Sequence, residues 1–102
     1  MSAVAHHAEL NDRLRTSLEG GRVVISKGID LLGGAAITDI FHGVMSYSHP
    51  KDDPHPDHDV GMVEVSGRTI VWNIACVRRR RHTGPQNADR IRTLNIMLEE
   101  EC

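Results

Sequence analysis

From residue 49 to residue 59 the chain reads HPKDDPHPDHD, with three histidines, four aspartates and three prolines in eleven positions. Imidazole nitrogens and carboxylate oxygens are the ligands of first-row metal ions and the proton carriers of hydrolysis. His55, His58 and Asp57 form the candidate metal set, with Asp53 and Asp59 as further oxygen donors. A catalytic metal would also need an open position for water and a base beside it. The spacing matches no established zinc motif, such as two histidines one helical turn apart. Asp-Pro turns carrying the chain from one element to the next account for the same composition. No catalytic set is complete in the sequence. The loop residues Asp53, His55, Asp57, His58 and Asp59 are therefore taken as a binding surface, with metal binding as one use of it.

A second candidate surface is the run Arg78, Arg79, Arg80 and Arg81, followed by His82. Arginines neutralise phosphates and pair bidentately with carboxylates. No aromatic is interleaved for base stacking, and the formal net charge is -2, so a protein partner suits the run better than nucleic acid. A solvated strand end explains it equally well. Cys76 has no sequence neighbour that would make a Cys-His pair, and neither a Gly-x-Ser-x-Gly elbow nor a phosphate-binding glycine loop is present.

The elements that must position these groups fit one domain of 102 residues, 39% hydrophobic and 25% charged. Phe41, Tyr47 and Trp72 are its three aromatics, so the core is aliphatic with Trp72 inside it. Leu10, Leu14 and Leu18 recur at helical spacing before Gly20-Gly21. RVVIS (22–26) reads as a strand, and KGIDLLGG as a turn and apolar connector. AAITDIFHGVMSY places Ile37, Ile40, Phe41, Val44 and Met45 on one helical face and must stop before Pro50. The prolines make 48–59 an extended loop. VGMVEV and RTIVWNIACV, separated by Ser66-Gly67, predict a hairpin over about 60–77. Asn87 as a cap, with Ile91, Leu94 and Leu98 as an inward stripe, predicts a last helix. The order α-β-α-β-β-α describes an α+β domain with helices packed on a small sheet. Two isolated cysteines and no apolar leader or spanning run point to a reducing, cytoplasmic setting away from the membrane.

The segments LNDRLR…GGRVVISKGIDLL, DDPHPDHDVGMVEVSGRTIVWNI and RIRTLNIMLEEE resemble, in order and spacing, a bacterial family of domains of unknown function numbered 3768, short proteins of plasmids and mobile elements. Asp53, Pro54, His55, His58, Asp59 and Gly61 match its loop, with Asp57 where the family has Glu. Trp72 and Ile74 match its strand, but Ala75-Cys76-Val77-Arg78 replaces an acidic and aromatic run. The resemblance implies no activity, and the altered strand suits a repurposed relative better than an active enzyme. The resulting expectation is a non-enzymatic, protein-binding inhibitor from a mobile genetic element, anti-CRISPR-like, that occupies a host defence complex such as a CRISPR effector. No cofactor is expected on that reading. The alternatives are a hydrolase or nuclease using zinc or another divalent metal at His55 and His58, and a nucleic-acid-binding regulator using Arg78–Arg81.

Overall fold

The structure, a computed structural model, describes residues 3–78 and 90–102. Helix α1 (Ala3–Ser17) leads into strand β1 (Arg22–Ile25), a short helix α2 (Lys27–Asp30) and helix α3 (Gly34–Met45). After the loop come β2 (Val60–Val65), β3 (Arg68–Arg78) and β4 (Arg90–Leu98), closed by a 3-10 turn at Glu99–Glu101. The strands form one mixed sheet in the order β1-β4-β3-β2, with β1 parallel to β4 and the other pairs antiparallel. The fold is α+β, with the helices on one face of the sheet.

The hairpin forms where the alternation and Ser66-Gly67 place it. Both turn residues take positive φ, 51° and 79°, the conformation that lets a two-residue loop follow the right-handed twist of its strands. The connector read in KGIDLLGG is a helical turn, because Ser26 caps it by accepting from the Ile29 N–H at 3.2 Å and Ile29 is fully buried.

The last element differs from expectation. Residues 90–98 are a strand, not a helix. Leu94 and Leu98 fit both periods, but Ile96 is buried with them, which only a two-residue period allows. The strand lies between β1 and β3 and exchanges backbone hydrogen bonds on both edges. Those pairings override a helical tendency that is weak in β-branched Ile91, Thr93 and Ile96. Asn87, the expected cap, lies outside the described residues.

Register-matched rows build the core on the helix-covered face. Ile25, Ile96 and Trp72 form one row, Val23, Leu94 and Ile74 a second, and Leu98 and Ile70 a third. Each fully buried aliphatic side chain contributes about 1.5–3 kcal/mol. Gly61 stands opposite Trp72, and a Cβ there would lie 2.6–2.9 Å from three indole atoms. The missing side chain is what makes room for the indole beside β2.

The C-terminal turn is stapled to α2. Glu101 accepts from the Ser26 hydroxyl at 2.5 Å, the Leu98 N–H at 2.8 Å and the Gly28 N–H at 3.0 Å. The Ser26 bond first, then the Leu98 amide, holds this carboxyl below the usual carboxylate range. A carboxyl whose folded value is depressed stabilises fully above its unfolded value of about 4.5 and loses that contribution as pH falls through the folded value. Glu101→Gln is therefore expected to lower Tm near neutrality and to flatten the loss of stability below about pH 4.5, read by thermal melts across pH. Gly61→Ala is expected to cost about 1–3 kcal/mol by overpacking against Trp72, read as a lower urea midpoint at unchanged m.

Candidate functional site

The inward face of α1 is unusually polar. Leu14 is buried as expected, but its buried companions are Ala8, Asn11 and Arg15, while Leu18 lies beyond the helix end and is exposed. The stripe of leucines is thus not the face that docks. Polar residues turned inward on a helix need partners, and each of them has one.

Arg15 is 4% exposed. Its Nη1 donates to the Val44 carbonyl at 2.9 Å and the Met45 carbonyl at 3.4 Å, which lie at the C-terminal end of α3, where a cation is favoured. Its guanidinium lies 5.4 Å from the Trp72 ring centroid and 5.5 Å from that of Tyr47. Its Nη2 approaches Asp12 Oδ1 at 3.7 Å. Burial pulls the guanidinium below its ordinary pKa, against the opposing pull of Asp12. Asn11 donates to the Asp57 carbonyl at 2.9 Å and accepts from Arg92, tying α1 to the loop and to β4.

Asp12 then faces two imidazoles. His58 Nδ1 lies 3.0 and 3.1 Å from its two oxygens, and His49 Nε2 lies 3.7 Å from Oδ1. His49 Nδ1 makes a 2.7 Å bond to Asp53 Oδ2. An ionised carboxylate only accepts, so this nitrogen carries the proton. The bond to His49 first, then the His55 N–H at 2.8 Å, holds the Asp53 carboxyl below its ordinary value. The His49 ring stands edge-on to Tyr47 and Trp72, with centroids 4.9 and 5.6 Å away, and stacks on His58 at 4.0 Å with an 11° interplanar angle. The His49 and Asp53 side chains are 5% and 8% exposed, whereas Asp12 and His58 are 38% and 30% exposed. The inner pair is fixed and the outer pair meets solvent.

The loop that brings these groups together is folded, not extended. Turns close from Asp53 N–H to Pro50 O and from His58 N–H to His55 O, and His58 takes φ 56°. Among the described residues, the buried side-chain nitrogens without a hydrogen-bond partner are Arg15 Nε, His49 Nε2 and Trp72 Nε1. All three belong to this cluster. A buried polar atom left unpaired in a native structure marks strain or a role in binding and catalysis.

Of the residues singled out from the sequence, His58 is a member of the cluster and Asp53 its support. His55 is exposed and contributes a backbone N–H. Asp57 contributes its carbonyl, and with Asp59, Arg92 and Cys76 it lines a separate 140 Å³ pocket. The candidate metal set His55, His58 and Asp57 is therefore not gathered at one point. The group within ligand distance is Asp12, His49 and His58. Arg78 ends β3, and Arg79, Arg80 and Arg81 lie outside the described residues. Cys76 and Cys102 are free and exposed. No described helix is long and apolar enough to cross a membrane.

Residues 25–101 match the family model described as protein of unknown function DUF3768. The chain belongs to this family. The match takes in His49, Asp53 and His58 and begins after Asp12 and Arg15. No curated protein and no solved structure matches the chain.

Replacing Arg15 tests how firmly α1 seats the site. Arg15→Leu strips the Val44 and Met45 carbonyls of their donor and is expected to cost about 2 kcal/mol. Arg13→Ala, which removes only the exposed 3.5 Å pair with Glu19, is expected to cost under about 0.5 kcal/mol. Urea unfolding of both variants provides the comparison.

Proposed function

We propose that this chain is a small hydrolase whose centre is Asp12, His49 and His58, backed by Asp53. The observation that carries the reading is the state of His49. Asp53 fixes the proton on Nδ1, which leaves the lone pair on Nε2, and that atom is buried beside Asp12 without a partner. A carboxylate-bound imidazole with a free second nitrogen is the arrangement that takes a proton from an attacking water and is stabilised as imidazolium by the carboxylate. The imidazolium so formed gives its Nε2 proton to the leaving group, and Asp12, 3.7 Å from Nε2 and held by the His58 Nδ1–H, faces that charge. The His58 ring covers His49 and must turn aside for a substrate to reach Nε2. The exposure of Asp12 and His58 gives the substrate its side of approach.

The occupying inhibitor expected from the sequence stands beside this reading as a second proposal. Its contact surface is the run Arg78–Arg81, of which Arg79–Arg81 lie outside the described residues, or the loop residues Asp53, His55, Asp57, His58 and Asp59. The two part on stoichiometry. A hydrolase acts far below one equivalent and loses turnover with His49. An inhibitor suppresses a defence complex in proportion to the amount bound and is indifferent to His49.

Multiple-turnover assays with p-nitrophenyl esters, a p-nitrophenyl phosphodiester and single- and double-stranded DNA and RNA test the hydrolase. His49→Gln is expected to reduce kcat by about 100-fold or more on the substrate that is cleaved. Equal rates for wild type and His49→Gln across the panel would overturn the reading.

A further inference from the structure

The geometry points to a site for one first-row divalent ion of the zinc class, held by His49 Nε2, His58 Nδ1 and a carboxylate oxygen of Asp12. This rests on the hydrolytic reading of the same cluster and changes its base: with Nε2 bound, the ion in place of His49 activates the water, and His58 Nδ1 releases its proton when the ion binds.

Spacing is the first argument. The three ligand atoms all lie within 4.8 Å of one another. Tetrahedral bonds of about 2.1 Å place neighbouring ligand atoms about 3.4 Å apart. The Asp12 oxygens lie 3.0 and 3.1 Å from His58 Nδ1, and 3.7 Å separates Asp12 Oδ1 from His49 Nε2, so the observed distances bracket that value.

The second argument is independent of spacing. His49 is 95% buried, and its Nε2 faces this cluster with no hydrogen-bond partner. Its other nitrogen donates to Asp53, and a histidine that ligates a metal almost always gives its remaining N–H to a carboxylate or carbonyl in this way. Tyr47 and Trp72 pack edge-on against the ring, so its direction is already set. Two imidazoles and one carboxylate select a zinc-like ion over magnesium or calcium, which take oxygen. Three protein ligands with an exposed outer side leave the fourth position to water. The charges agree as well. Asp12 and Asp53 outweigh Arg15 by one negative charge when both imidazoles are neutral, which favours a dication.

One feature of the ligand set dictates how the ion enters. Lone pairs lie in the imidazole planes, and the His49 and His58 planes are 11° from parallel at 4.0 Å. A single ion cannot lie in both planes while the rings stay stacked. His58 is the ring that turns, because it is 30% exposed and, beyond its stack on His49, its side-chain hydrogen bonds among the described residues go to Asp12, whereas His49 is bonded to Asp53 and packed against Tyr47 and Trp72. Ion binding therefore unstacks His58, and the motion that admits the ion also uncovers the site.

The full chain, stripped with chelator and dialysed, is titrated with Zn²⁺ by calorimetry and with Co²⁺ by visible absorption. One ion per chain is expected, with the intense absorption of tetrahedral Co²⁺ and a shift of the His58 ring resonances. Asp12→Asn, His49→Gln and His58→Asn are each expected to weaken binding at least 10-fold. Asp53→Asn is expected to weaken it by about 10- to 100-fold through loss of ligand orientation. His55→Ala and a His6→Ala/His7→Ala double variant are expected to bind as wild type. Circular dichroism screens each variant for folding, and the conservative Asp53→Asn keeps the test decisive if a ligand variant unfolds. Stoichiometric binding that depends on these residues without turnover of any substrate would support the site and remove only the hydrolase. Turnover that survives chelator, absence of stoichiometric binding, or binding unaffected by Asp12, His49 and His58 would overturn the site.

Discussion

A guanidinium buried against an indole governs how the rest of this domain is arranged. Arg15 cannot return to water once α1 docks, so its charge must be met from within the fold. The α3 C-terminal carbonyls meet part of it, the Trp72 and Tyr47 rings another part, and Asp12 the remainder. Those contacts fix the helical phase of α1. Because Asp12 lies one turn before Arg15, the same phase aims Asp12 at His49 and His58. Packing and site are thus set by one side chain. Trp72 can serve as the surface beneath them only because Gly61 leaves room for the indole on the neighbouring strand.

The parts of the fold legible in the sequence are those whose signal is local. Ser66-Gly67 states the hairpin turn, and the Ile40 and Val44 periodicity states α3. β4 was illegible because Leu94 and Leu98 satisfy both helical and strand periods, and its choice depends on β1 and β3. The buried face of α1 departs from its leucine stripe for a physical reason of a different kind. A leucine stripe is the ordinary docking face, but here Asn11 and Arg15 are buried because their partners lie on α3, β4 and the loop.

The site divides along the same line. Its loop half is legible as a dense histidine and aspartate run that contains Asp53 and His58. Asp12 is 46 residues from His58, and no spacing rule links them. His49 stands within the run, but nothing in the spacing of the run distinguishes it from the other histidines. The polar positions on an otherwise amphipathic α1 were the available signal. Asn11 and Arg15 are the polar residues of α1 that are buried, and Asp12 beside them is half-buried.

The distribution of satisfied and unsatisfied groups separates scaffold from working region. At the C-terminal turn Glu101 closes three bonds and ties that turn to α2. Around Trp72, by contrast, Arg15 Nε, His49 Nε2 and Trp72 Nε1 are buried and unpaired. A small domain has few kcal/mol to spare, so such a concentration of unmet polar atoms is a cost, and among the described residues it falls in this one place. The buried member of the His49–His58 stack is bonded to Asp53 and packed against Tyr47 and Trp72, while the half-buried member is bonded to Asp12. A site built in this way keeps its inner nitrogen fixed and lets its outer ring respond to what binds.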